Sequence, residues 1–111
     1  MLRLESGFLQ EVKARIIKDF IDVIILNRLR VVPSSGYDLI QYIYRKSSIF
    51  LSPGTVYSTL YSMERKGLVE GRSASKKRIY HITSKGLAYI EALSNNSRMI
   101  LKFIGELFRG L

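Results

Sequence analysis

Residues 52–82 constrain the fold most, because a short helix with marked ends runs straight into two short strands joined by a basic loop. Ser52 can cap that helix, and Pro53 suits the first helical position, where its missing N–H costs no hydrogen bond. Val56, Leu60 and Met63 recur on one face, and Leu68 follows them inward. Gly67 supplies a left-handed stop after Arg65 and Lys66, whose charges suit a helix C-terminus. Residues 68–72 and 78–82 then read as strands, with residues 73–77, Ser-Ala-Ser-Lys-Lys, as the loop between them.

Upstream, residues 5–30 carry a helical pattern. Phe8, Val12, Ile16, Phe20 and Ile24 recur every four residues, with Leu9, Ile17, Ile21 and Ile25 beside them. So wide an apolar stripe faces more than one neighbour. The segment is either one long helix or two with a break near residues 19–22. Pro33, behind the β-branched Val31 and Val32, stops it. A second helix is expected over residues 35–46, capped by Ser34 or Ser35, with Tyr37, Leu39, Ile40, Ile43 and Tyr44 inward. Thr83 caps a last helix over residues 84–109, interrupted at residues 94–97, where Ser-Asn-Asn-Ser are poor helix formers.

That last helix has apolar residues on more than one side: Leu87, Ile90 and Leu93, then Met99, Phe103 and Leu107, then Ile100, Ile104 and Leu111. Burial against a second copy, and against the N-terminal helix at residues 8–17, would cover them. The expected fold is mainly α with a small two-stranded β-wing, a winged helix-turn-helix with N- and C-terminal dimerisation helices. Residues 1–86 make the winged helix domain with its N-terminal extension, and residues 87–111 the C-terminal dimerisation helix.

The chain has 111 residues, one domain's length, and a formal charge of +9 from 18 Lys and Arg against 9 Asp and Glu. That balance favours a polyanion as partner. The absence of Cys and the single His81 exclude disulfides, zinc fingers and any Cys/His metal site, and no cofactor is expected. Residues 1–10 lack an apolar run ending in a small-residue cleavage site, so no signal peptide is expected. The most apolar stretch, residues 20–29, is short and broken by Asp22, Asn27 and Arg28; it does not span a bilayer. The expected location is cytoplasmic, with no membrane partner. No His–Asp–Ser grouping, paired carboxylates or phosphate-binding glycine loop is present, so the chain reads as a non-enzyme.

Two features remain once catalysis is set aside. The helix opened by Ser52 and Pro53 shows Gly54, Thr55, Ser58, Ser62 and Arg65 opposite its apolar face, flanked by Tyr57 and Tyr61. Small and hydroxylated groups let a helix lie close to base edges in a major groove. Beyond it, Arg72, Lys76, Lys77, Arg78 and Lys85 make the hairpin region basic, as a wing that follows phosphates requires. Either feature alone fits an ordinary solvated surface; together they favour double-stranded DNA. His81, alternating with Tyr80 and Ile82, is expected on the outward face of the wing.

The order and spacing of four blocks add a resemblance. Gly36-Tyr37-Asp38-Leu39, then Leu51-Ser52-Pro53-Gly54-Thr55-Val56-Tyr57-Ser58-Thr59-Leu60, then Met63-Glu64-Arg65-Lys66-Gly67-Leu68-Val69, then Arg78-Ile79-Tyr80-His81-Ile82-Thr83-Ser84-Lys85-Gly86 resemble the signature blocks of PadR-like winged helix regulators. The resemblance runs over about residues 25–90. It implies dimeric, sequence-specific DNA binding, usually repression, with dimer contacts from the C-terminal helix. The DNA-facing positions it implies are Ser52, Pro53, Gly54, Thr55, Tyr57 and Ser58, with Lys76, Lys77 and Arg78 on the wing; Tyr61 joins them as a flanking residue. Tyr80 matches the aromatic of the second wing strand and is expected to pack the wing onto the helices. Without Trp, no tryptophan-lined effector pocket is implied. The expected function is that of a sequence-specific regulator, a repressor, on a pseudo-palindromic duplex site as a homodimer. A sequence-independent chromatin or architectural protein, and a protein-docking module with incidental charge, are the rival readings.

Overall fold

Ile17, Ile21, Ile25 and Leu29, each one helical turn from the last, carry the first part of the chain into the core. The computed structural model describes Leu2–Gly110, with side chains from Gly7 onward. Helix α1 spans Leu2–Asp19 and α2 spans Ile21–Val31. The break falls at Phe20, within the expected window. The Phe20 N–H donates to the Ile16 carbonyl and the Ile24 N–H to the Phe20 carbonyl, so this one residue closes α1 and opens α2. Of the two parallel stripes read in the sequence, the one through Ile17, Ile21 and Ile25 is buried. Phe8, Ile16 and Phe20 on the other are exposed.

Residues 34 and 35 form a two-residue strand, β1, before helix α3 (Gly36–Ser47). Ser35 caps α3 reciprocally: the Asp38 N–H donates to Ser35 Oγ, and the Ser35 N–H donates to Asp38 Oδ2, each at 3.1 Å. That backbone donor holds the Asp38 carboxyl below its ordinary pKa. Leu39, Ile40 and Ile43 are buried, as expected, but Tyr37 and Tyr44 are exposed. Both lie roughly a quarter turn round the helix from the centre of the buried arc, filled by Gly36, Ile40 and Ile43. Tyr37 instead accepts a hydrogen bond from Gln41 Nε2 at 2.8 Å.

Helix α4 (Pro53–Arg65) turns Val56, Leu60 and Met63 into the core and ends at Gly67, whose φ of 78° is the expected left-handed stop. Strands β2 (Val69–Ala74) and β3 (Lys77–Ile82) follow. They pair through Ala74 and Lys77, which leaves a two-residue turn, Ser75-Lys76, in place of the five-residue loop read from the sequence. Both turn residues have positive φ, 46° and 65°, the geometry that matches strand twist in the tightest hairpins. The sheet has three strands, in the order β1-β3-β2, where two were expected: Ser34 and Ser35 pair with Tyr80 and Ile79.

Thr83 caps helix α5 (Ser84–Asn95), and a break at Asn96 precedes α6 (Ser97–Phe108). The Asn96 side chain donates back to the Ala92 carbonyl at 2.7 Å, taking up an acceptor that the end of α5 leaves open. The core draws on α1 to α5 and the sheet, with Ile25, Leu26, Leu39, Val56, Leu60, Tyr80 and Ile90 at most 1% exposed. Helix α6 buries no side chain. The radius of gyration is 15.6 Å; a compact domain of this length has about 13 Å. No helix among the described residues is long and apolar enough to cross a membrane.

Candidate nucleic-acid interface

Ser52 ends the connector from α3 in an extended conformation, and its Oγ accepts from the Thr55 N–H at 3.2 Å. The Ser52 and Thr55 hydroxyls lie 2.9 Å apart, and Thr59 Oγ1 donates to the Thr55 carbonyl at 2.9 Å. Ser52, Pro53, Gly54, Thr55 and Ser58 are all exposed, so the first turns of α4 present small groups outward. No atom lies within 4 Å of where a Cβ on Gly54 would sit. Pro53 has no N–H and Ser52 takes those of Thr55 and Val56, so the helix start offers a phosphate the Gly54 N–H and the positive end of its dipole.

Tyr57 is placed differently. Its ring is half-buried and lies across Gly36 at the start of α3, where a Cβ would come within 2.5–2.8 Å of the ring and its hydroxyl. Gly36 therefore gives α3 and α4 their close approach. The ring of Tyr61, half-exposed, stands 6.2 Å from that of Tyr57. The Tyr57 ring thus fills the space that Gly36 leaves between α3 and α4, with Tyr61 exposed beside it.

On the wing, Lys76 and Lys77 are exposed at the tip, and neither makes an ion pair among the described residues. Arg72 pairs with Glu70 at 3.1 Å in full solvent view, an interaction of little energetic weight. Arg78 turns the other way. Its Nη2 lies 2.7 Å from Glu64 Oε2, in the last turn of α4. The same Glu64 oxygen accepts from the Gly71 N–H at 3.1 Å. Glu64 was not singled out in the sequence. The available signal was an acid in a helix's last turn, where the dipole disfavours it, inside a strongly basic stretch. Tyr80, as expected, is fully buried and packs the wing on the helices, with the Arg78 guanidinium 5.7 Å from its ring centre. Its hydroxyl has no hydrogen-bond partner among the described residues, and burial pushes its pKa up. His81 is half-buried on the opposite face of β3, across from Glu70.

The corner between α4 and β2 is bound to the start of α5. Thr83 Oγ1 donates to the Gly67 carbonyl at 2.6 Å, Thr83 N–H to the Leu68 carbonyl at 3.1 Å, and Lys85 Nζ to the Lys66 carbonyl at 2.8 Å. Two blocks far apart in sequence thus form one joint. The last turn of α4 and both roots of the hairpin are held as a unit, which fixes the helix relative to the wing.

Known proteins place this geometry. An uncharacterized protein of Lysinibacillus sphaericus is 27% identical over 107 residues, covering 90% of this chain and 98% of its own. A proposed transcriptional regulator of Thermoplasma acidophilum has a similar structure, with a TM-score of 0.75 at 27% identity over 87% of this chain and 98% of its own. So does a PadR-like transcriptional regulator of Bacillus cereus, with a TM-score of 0.73 at 27% identity over 87% and 99% of the two chains. The family model for PadR-like transcriptional regulators matches residues 25–92, from the middle of α2 through most of α5 and across every part of the interface just described. With helix, wing and joint all inside that match, the chain belongs to the PadR-like family of transcriptional regulators.

Proposed function

We propose that the chain is a transcriptional repressor that binds a pseudo-palindromic duplex site as a homodimer. The observation that carries this reading is the exposed hydroxyl face of α4, Ser52, Thr55 and Ser58, tied rigidly to a hairpin whose tip presents Lys76 and Lys77. A helix start of small polar groups reads base edges, while lysines on a wing neutralise phosphates without reading sequence. Pro53 and Gly54 keep bulk away from the groove.

The dimer half rests on apolar surface. Met99, Phe103 and Leu107 form one exposed ridge of α6, and Leu101 with Phe108 a second. Phe8, Leu9 and Ile16 are exposed on α1. An open apolar groove between α2, α5 and α6 is lined by Phe20, Val23, Ile90, Leu93, Ile100 and Leu101. A monomer that exposed all of this would be prone to association, and self-complementary pairing of the terminal helices covers it. Two copies place two α4 helices in successive major grooves, about 34 Å apart. The C-terminal helix, residues 87–111, then serves dimerisation, and residues 1–86 read DNA.

Phe103→Glu with Leu107→Glu tests the dimer. Analytical ultracentrifugation is expected to show a dimer for the wild type and a folded monomer for the variant, and operator affinity is expected to fall at least tenfold. A variant that stays dimeric places the interface elsewhere.

A further inference from the structure

We propose that Glu64 is a positioning residue that engages Arg78 and the Gly71 amide so as to hold the wing at a set angle to α4, and that Arg78 serves specificity through this clamp without contacting DNA itself. The inference rests on the DNA-binding reading above. One carboxylate oxygen takes two donors from two different strands, Arg78 Nη2 on β3 at 2.7 Å and the Gly71 N–H on β2 at 3.1 Å. The absence of a side chain at residue 71 makes room for this: a Cβ on Gly71 would overlap the Arg78 guanidinium. The guanidinium also lies 5.7 Å from the centre of the buried Tyr80 ring, so the cation is held by an aromatic as well as a carboxylate.

Charge argues the same way. An anion in the last turn of α4 opposes both the helix dipole and a nearby phosphate backbone. Paired with Arg78 it is neutralised, and the Arg78 guanidinium in turn has its Nη2 donor committed to α4. Lys76 and Lys77, exposed at the tip and in no ion pair among the described residues, then lead the wing's contribution to phosphate neutralisation. Helix and wing must meet one half-site together, so a fixed angle between them favours the duplex geometry of the cognate site over others.

The two roles separate in salt dependence. The slope of log affinity against log salt falls by about 0.9 for each phosphate contact removed. Wild type, Arg78→Gln, Glu64→Gln and Lys77→Gln are titrated with a selected operator and a random duplex between 50 and 200 mM salt, about the range over which phosphate contacts dominate. The clamp predicts that Arg78→Gln and Glu64→Gln lower operator affinity about tenfold, lower random-duplex affinity little, and keep the wild-type slope. Lys77→Gln is expected to lower the slope and to weaken both duplexes alike. Arg78→Lys, which keeps the charge and part of the ion pair, is expected to recover part of the specificity; it also serves if Arg78→Gln is unfolded by circular dichroism. An Arg78→Gln protein that behaves like Lys77→Gln, with a reduced slope and unchanged specificity ratio, makes Arg78 a phosphate ligand and overturns the proposal. So does a Glu64→Gln protein with wild-type affinity for both duplexes. A wild type that binds no duplex overturns the DNA-binding reading instead, and this role with it.

Discussion

Gly86→Ala is expected to destabilise the protein by about 3 kcal/mol or more, the upper range for forcing atoms into a closed site. The cause is the joint between α4, β2 and α5. A Cβ on Gly86 would fall inside contact distance of the Leu68 carbonyl oxygen and 2.9 Å from Ile82 Cγ1. That oxygen is backbone, fixed by the Thr83 N–H at 3.1 Å, and the neighbouring Gly67 carbonyl is fixed by Thr83 Oγ1 at 2.6 Å. Relief therefore requires α5 to shift, which would disturb Ile90 in the core. For a domain of this size each kcal/mol shifts the melting temperature by roughly 4–8 °C, so a fall of about 12 °C or more is expected in a thermal melt. Gly54→Ala makes the matched control. Its Cβ meets nothing, and in a helical turn alanine is better than glycine by up to about 1 kcal/mol, so that variant is expected to be slightly more stable. It is also expected to bind duplex less well, because the added methyl stands on the groove-facing turn. A Gly86→Ala protein with a wild-type melt would show that the joint is slack.

Lys76→Glu with Lys77→Glu is expected to have the largest effect on DNA binding. In the counterion-release picture each phosphate contact contributes roughly 0.9 decades of affinity per decade of salt below 1 M, or about tenfold at 0.1 M. Two contacts in each half of a dimer make four, so affinity for any duplex is expected to fall by about three orders of magnitude or more, with repulsion from the new carboxylates adding to the loss. The turn itself is expected to survive, since both lysines are exposed and neither makes an ion pair among the described residues. Fluorescence anisotropy against operator and random duplex checks this. Equal loss on both marks phosphate contacts, whereas loss confined to the operator would mean that the tip reads bases.

Much of this was legible in the sequence, where local chemistry decided the outcome. Ser52, Pro53, Gly67 and Thr83 each act at a helix end through their own side chain or backbone freedom, and each stands where it was expected. The break at Phe20 fell within the window where the sequence left one helix or two open, and the break at Asn96 fell in a run of weak helix formers. What escaped the sequence depends on residues far apart in the chain. A strand of two serines is too short to show alternation and exists only because β3 lies beside it. The wing turn was read too long because Ser75 and Lys76 carry none of the glycine or asparagine that usually marks positive φ. Tyr37 and Tyr44 look apolar by composition, yet the rim of a helix face can be wet. Glu64 left only a local sign, an acid against the helix dipole in a basic stretch, because its two partners lie seven and fourteen residues away. The hydroxyl face of α4 was visible; the clamp that aims it was not.

Selection of bound sequences from a random duplex pool tests the central claim most directly. The account predicts enrichment of an inverted repeat, with half-site centres about one helical turn, roughly 34 Å, apart. A pool that binds with salt dependence but yields no enriched sequence would contradict it and make the protein a sequence-independent DNA coat.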